Sequence, residues 1–249
     1  RGMFWLLYPY GLILQAIAIL HFLRRRPEGF WLWVIIFGGG FGALIYMFAE
    51  VVPDVGLLRG TMLVFPRRKR IRELETAILD NPSVGNFEEL GDLYLDDRQY
   101  EKARECFDRV ITPRTDSVDP FYRRALAEIE LGDLPAAAAD LERVVAADPR
   151  YDYHRAAGLL AHTLGQLGRT AEAAACFADV TSVSTLSETQ VNYAAFLAGI
   201  GRAAEAREWA LRVLAKKRTM PAYMRRRERP WFRRAHAVLK RLPATGAAG

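Results

Sequence analysis

The chain has 249 residues, 51% of them apolar, with 35 Lys and Arg against 29 Asp and Glu, for a net charge of +6. Two cysteines exclude a disulfide framework. The positive charge is local: residues 216–241 hold eleven Lys/Arg and one Glu, so the rest of the chain is net acidic and not a general nucleic-acid-binding surface.

The first predicted elements are two apolar runs. Residues 3–23 carry no Asp, Glu, Lys or Arg, and residues 30–52 carry one acid, Glu50, at the far end. At about 1.5 Å per residue, each is long enough to cross a hydrocarbon core of about 30 Å. Trp5, Tyr8 and Tyr10 flank the first run, and Trp31 and Trp33 open the second, where interfacial aromatics belong. Only residues 24–29, RRRPEG, link them. Residues 1–52 are therefore expected to form a transmembrane helical hairpin. The arginines follow the first run instead of preceding it, which argues against a cleaved signal peptide. Gly38 and Gly42 have the small-xxx-small spacing, with Tyr46 one turn on. These three residues are expected to pack helices within the hairpin, or to dock a second copy or another membrane protein.

Arg24-Arg25-Arg26-Pro27, Trp31-Leu32 and Gly42–Tyr46 with Glu50 resemble the two-helix N-terminal segment of cardiolipin synthases and related phospholipase-D-type proteins. The resemblance implies membrane anchoring only, and Gly39 stands where that family usually has Pro. The H-x-K of that superfamily's catalytic signature is missing, since His21, His154, His162 and His236 each lack Lys two residues later. The tail after the second run carries Arg59, Arg67, Arg68, Lys69, Arg70 and Arg72 against three loop arginines. By the positive-inside rule the C-terminal part is expected in the cytoplasm.

Residues 53–66 read as a connector broken by Gly and Pro, and residues 67–82 as a helix ending at Asp80-Asn81-Pro82. Its basic start, Arg67, Arg68, Lys69 and Arg70, is expected near anionic headgroups.

From Val84 a grammar recurs. Gly91, Ala125, Ala161 and Ala194 share one position, and Ala103, Ala137, Ala173 and Ala206 another. Phe107, Leu141 and Phe177 share a third, and turns follow at Gly132, Gly168 and Gly201. Unit starts at Val84, Val118, His154 and Ser187 are 34, 36 and 33 residues apart. This resembles tetratricopeptide repeats, whose period is about 34. The resemblance implies an all-α solenoid of helix pairs over residues 83–220, each pair burying its apolar face against the next. Residues 67–82 then read as a degenerate half repeat, 221–243 as a basic capping helix and 244–249 as a disordered tail.

No catalytic constellation, cofactor motif or metal-ligand spacing is present, so a non-catalytic protein without cofactor or metal is expected. Cys106 and Cys176 share a repeat position, too far apart in a solenoid to bridge, and read as buried fillers. The resemblance places a concave groove on the first helix of each pair. Glu88, Asp92 and Asp96 then form an acidic stripe at a spacing of four, which invites a basic or extended peptide. Tyr122, Leu126, Ile129 and Glu130 supply the groove centre, and His162 and Gln166 the third repeat. Arg225, Arg226 and Arg227 are candidates for anionic lipid. The overall expectation is a bacterial scaffold in the inner (cytoplasmic) membrane, with two spans and cytoplasmic repeats, that binds a protein partner and not nucleic acid. The alternative is an accessory or regulatory subunit of a membrane enzyme complex, or a homodimer, docking through the Gly-rich hairpin.

Overall fold

The computed structural model describes residues 3–25, 29–47, 49, 57–112 and 115–243, without the side chains of 3–10, 24–25, 57–66 and 222. Expectations placed on Trp5, Tyr8, Tyr10, the loop arginines, Glu50 and residues 244–249 lie outside what is described. The described elements are all helical, and the chain divides into two compact units, Arg1–Glu73 and Leu74–Gly249.

In the first unit, α1 (Met3–Arg25) packs on α2 (Phe30–Phe37) and α3 (Gly39–Tyr46). The expected second span is not one helix. Gly39, at φ 55°, takes a left-handed conformation open to glycine at little cost, and it ends α2 after eight residues. The break draws α3 back onto α2. A Cβ on Gly38 would sit 2.7 Å from the Gly42 Cα, and one on Gly42 would collide with the Val34 carbonyl oxygen. The two glycines are thus used inside the hairpin. Gly40 and Gly11, which the spacing does not single out, bring α3 and α1 close together, where a Cβ on Gly40 would lie 3.0 Å from the Gly11 Cα.

Ala18, Ile35, Ala43 and Tyr46 form the core of this unit. Fully buried Tyr46 bonds its hydroxyl to His21 Nδ1 at 2.9 Å, and Gln15 Nε2 donates to the Ile35 carbonyl at 2.9 Å. Both bonds satisfy polar groups that burial would otherwise leave unpaired. Among the described residues no helix is long and apolar enough to cross a membrane.

Helix α4 (Leu57–Asp80) starts ten residues ahead of the expected Arg67 and takes in most of the stretch read as a connector. Lys69 and Arg70 lie near Glu73, at 3.8 and 3.6 Å. The division between the two units falls within this helix.

Among its described residues the second unit contains four antiparallel pairs: α5 (Val84–Asp96) with α6 (Tyr100–Val110), α7 (Asp119–Leu131) with α8 (Leu134–Ala147), α9 (Tyr151–Gln166) with α10 (Thr170–Val183), and α11 (Ser187–Gly199) with α12 (Ala203–Ala215). The turns explain the grammar. Gly132, Gly168 and Gly201 have φ of 79°, 76° and 82°, and Arg98 takes the same position in the first pair at φ 59°. In every pair the next amide bonds back to a carbonyl five residues earlier: Gln99 to Tyr94, Asp133 to Glu128, Arg169 to Leu164 and Arg202 to Leu197, at 2.9–3.0 Å. This left-handed cap reverses the chain and satisfies carbonyls the helix end leaves open.

The small residues sit where the pairs close. Ala103, Ala125, Ala137, Ala161, Ala173, Ala194 and Ala206 are fully buried, as are Leu141 and Phe177. Cys106 is buried and Cys176 partly so; both are free, and burial pushes each thiol up to about 11, so neither is poised as a thiolate.

After α13 (Ala222–Arg227), whose Arg225–Arg227 are exposed, α14 (Arg229–Arg241) closes the end. Its Phe232, Ala235 and Val238 are buried against Val191, Ala194, Ala210 and Val213 of the last pair. The stretch 221–243, expected as one capping helix, is two helices, and the second lies over the last pair.

Candidate binding groove

The first helices of the pairs, α5, α7, α9 and α11, together with α14, enclose a groove of about 420 Å³. Five of the residues expected there line it: Asp96, Leu126, Ile129, Glu130 and His162. Gln166 lines an adjoining cavity of about 380 Å³ that shares His162. Glu88 and Asp92 line neither, and Tyr122 is buried beneath the groove.

The acidic stripe is not an unpaired row of charge. Arg123, from the next repeat, lies between Asp92 at 3.5 Å and Asp119 at 3.6 Å. Parallel packing of successive first helices brings this base beside the stripe, so Asp92 is answered within the chain. Burial nevertheless holds the Asp92 carboxyl above its ordinary pKa, with Arg123 pulling it back down.

A second network crosses the next interface. The Tyr122 hydroxyl donates to Asp152 at 2.6 Å. Arg155 donates to Glu188 at 2.7 Å and to the Tyr122 oxygen at 3.3 Å, and lies 3.6 Å from Asp152. The Tyr151 hydroxyl bonds Asp119, and its ring meets the Tyr122 ring edge-on at 4.9 Å.

These bonds depend on an unusual backbone. Asp152, Tyr153 and His154 have φ of 48°, 54° and 67° in succession, one left-handed turn ahead of the right-handed body of α9. Each such residue costs roughly 1–2 kcal/mol unless its surroundings hold it. The tie from Asp152 to Tyr122 is one such hold, and the right-handed helix begins only after His154, at Arg155.

The end of the groove at α14 has a different character. Burial, reinforced by nearby Arg234, pushes the His162 imidazole down to about 4, so it is neutral at physiological pH. Arg234 is exposed, with its guanidinium 5.9 Å from the Trp231 ring centre, and among the described residues no carboxylate pairs with it. Asn192 lines the groove at 2% exposure, and its buried Oδ1 accepts no hydrogen bond. Asn192, Trp231 and Arg234 are among the groove residues that sequence reasoning did not place here, as are Tyr100, Arg123 and Leu159. Asn192 lies one helical turn past Glu188, which lines the same groove. Trp231 and Arg234 come from a helix read only as a cap, although Arg234 is three residues past Trp231 and so shares its face.

Residues 88–151 and 122–181 match the tetratricopeptide repeat family model. No curated protein matches the sequence. The chain is similar in fold to YrrB, described as a TPR protein with an unusual peptide-binding site, at 18% identity and a TM-score of 0.55, over 77% of this chain and 92% of that one. It is similar in the same way to MamA, at 20% identity and a TM-score of 0.55, over 70% of this chain and 91% of that one. These likenesses establish the fold, and the second unit is an all-helical solenoid of tetratricopeptide repeats.

Proposed function

We propose that the solenoid is a non-catalytic protein-interaction scaffold that holds an extended peptide segment of a partner in its concave groove. The observation that carries this is Asn192. A buried amide oxygen without a donor costs on the order of 1–3 kcal/mol. A peptide N–H laid along the groove floor supplies that missing donor once the amide turns toward it. Leu126 and Ile129, on α7, supply apolar contact further along the same groove. The test is photo-crosslinking in native membranes with a crosslinker at Ile129. Capture of a discrete partner that Asn192→Ala abolishes supports the reading. No partner captured at Ile129, or capture unchanged by Asn192→Ala, overturns it.

We further propose that the N-terminal hairpin anchors this scaffold to the inner membrane, with the repeats on the cytoplasmic side. The support is the pair of apolar runs together with the outward face of the hairpin, where Leu12, Ile13, Leu20, Trp33, Phe37 and Phe41 are all about half to four-fifths exposed. So large an apolar surface is unfavourable in water. Retention of the full chain in the membrane pellet through alkaline carbonate washing supports anchoring, and complete release excludes it. Protease digestion of the repeats from outside intact right-side-out vesicles would reverse the orientation.

A further inference from the structure

The geometry points to a groove with opposite charge at its two ends, built for a segment that carries a basic residue at one end and a carboxylate at the other. This inference rests on the peptide-groove reading and adds the chemistry of the occupant.

The charges of the middle are already matched: Arg123 by Asp92 and Asp119, and Arg155 by Glu188 and Asp152. What remains is asymmetric. At the α5–α7 end, Glu130 lies beside Tyr100 on the groove wall, and among the described residues no base pairs with it. A tyrosine hydroxyl is no counter-charge, so this end of the groove keeps an acid on its wall. At the α14 end the residual charge is Arg234, with no carboxylate against it among the described residues, in the same groove as neutral His162 and the unpaired amide oxygen of Asn192. A uniformly basic segment would set a base against Arg234, and a uniformly acidic one would set an acid against Glu130. Only a dipolar segment meets both ends without repulsion.

The reach follows from packing. Adjacent first helices lie about 8–10 Å apart, so the span from α7 to α14 across α9 and α11 is on the order of 25 Å. Extended chain covers that in about seven or eight residues.

The test uses fluorescein-labelled Ala/Leu peptides, capped at both ends, with two charged residues at each end and eight residues between them. One is dipolar (Lys pair and Asp pair), one has Lys at both ends, one has Asp at both ends, and one is dipolar with only two residues between. Fluorescence anisotropy is read against the detergent-solubilised full chain at low salt. The long dipolar peptide is expected to bind about tenfold tighter than the other three, as complementary end charges typically allow. Arg234→Glu should shift the preference to the Lys–Lys peptide, and Glu130→Lys to the Asp–Asp peptide. Arg234→Gln should only level the dipolar and Lys–Lys peptides, which separates charge reading from damage to the cap. Equal binding of all four peptides, sensitive to Asn192→Ala, overturns the charge reading and leaves the groove standing. Binding by none, or binding insensitive to Asn192→Ala, overturns both.

Discussion

Arg124 forks Asp140, its Nε and Nη2 each bonding one carboxylate oxygen at 2.7 and 2.8 Å, while Nη1 reaches Asp108 at 2.7 Å. One guanidinium thereby ties α6, α7 and α8 together on the side of α7 away from the groove network. A third carboxylate, Glu128, lies 3.7 Å from Nε and is 4% exposed, with Oε2 buried and unbonded. Three acids share one base, and burial with the Asp140 charge pushes Glu128 up to about 7. Its folded pKa is above the unfolded value of about 4.3. The stabilisation from keeping its proton is therefore complete below pH 4 and lost as pH rises through 7. Glu128→Gln keeps the neutral state at every pH. It is expected to match the parent near pH 4.5 and to exceed it by about 2–3 kcal/mol at pH 8. Urea melts of both proteins at the two pH values check this, and a difference that does not grow with pH would refute it.

Removal of the base should do the opposite. Arg124→Met leaves Asp140 and Glu128 buried without a counter-charge, which typically costs about 3–5 kcal/mol. The double variant Arg124→Met, Asp140→Leu should recover much of that loss, since replacing both partners with apolar groups is often near neutral. Chemical denaturation of the single and double variants measures the coupling, and equal loss in both would assign the effect to packing.

The repeat architecture was readable because close packing of two helices admits only small residues at fixed places. Ala125, Ala161 and Ala194 repeat for that reason, and the turn glycines repeat because φ near 80° excludes most other residues. The cross-repeat ion pairs were not readable in the same way. Whether Asp92 meets solvent or Arg123 depends on how two helices from different repeats lie side by side, and no local period encodes that. The groove contribution of Trp231 and Arg234 was hidden for a related reason, since a capping helix has one face on the core and its other contacts follow from its crossing angle. The break at Gly38-Gly39 was hidden in a hydropathy pattern that registers apolarity and not direction.

The same logic makes Arg98 a point of stored strain. It holds φ 59° at the position that Gly132, Gly168 and Gly201 occupy in the other repeats. Arg98 is exposed and forms no salt bridge among the described residues, so its side chain gives little in return. Arg98→Gly is expected to stabilise the solenoid by about 0.5–1 kcal/mol, the left-handed penalty less the added freedom of the unfolded chain. An upward shift of the thermal midpoint checks it, and Gly201→Arg should lower the midpoint by a similar amount.

Gly91 marks the opposite case, a glycine required by space and not by conformation. A Cβ there would sit 2.8 Å from the tip of the Phe107 ring, which is 1% exposed. Gly91→Ala is expected to cost about 1–3 kcal/mol despite the better helix propensity of alanine. Pairing it with Phe107→Leu should restore part of the loss by shortening the opposing side chain. Denaturation midpoints for the single and double variants decide it; an additive loss would show that the two residues do not compete for the same volume.

The left-handed turn at 152–154 allows strain and function to be separated residue by residue. Tyr153 is 85% exposed, so its side chain contributes little to hold φ 54°. Tyr153→Gly removes a left-handed penalty and is expected to stabilise the chain by about 0.5–1 kcal/mol while leaving the groove bonds intact. Asp152→Gly removes the same kind of penalty but also removes the acceptor of the Tyr122 hydroxyl and one of the two carboxylates beside Arg155. A buried hydroxyl left unpaired costs about 1–3 kcal/mol, which outweighs the relief, so this variant should be less stable than the parent. Amide hydrogen exchange supplies a second readout. Protection in the first turns of α9 should rise in Tyr153→Gly and fall in Asp152→Gly. If both glycine variants instead stabilise the chain equally, Asp152 is not what fixes the turn against the groove wall, and Tyr122 must be held by Arg155 alone.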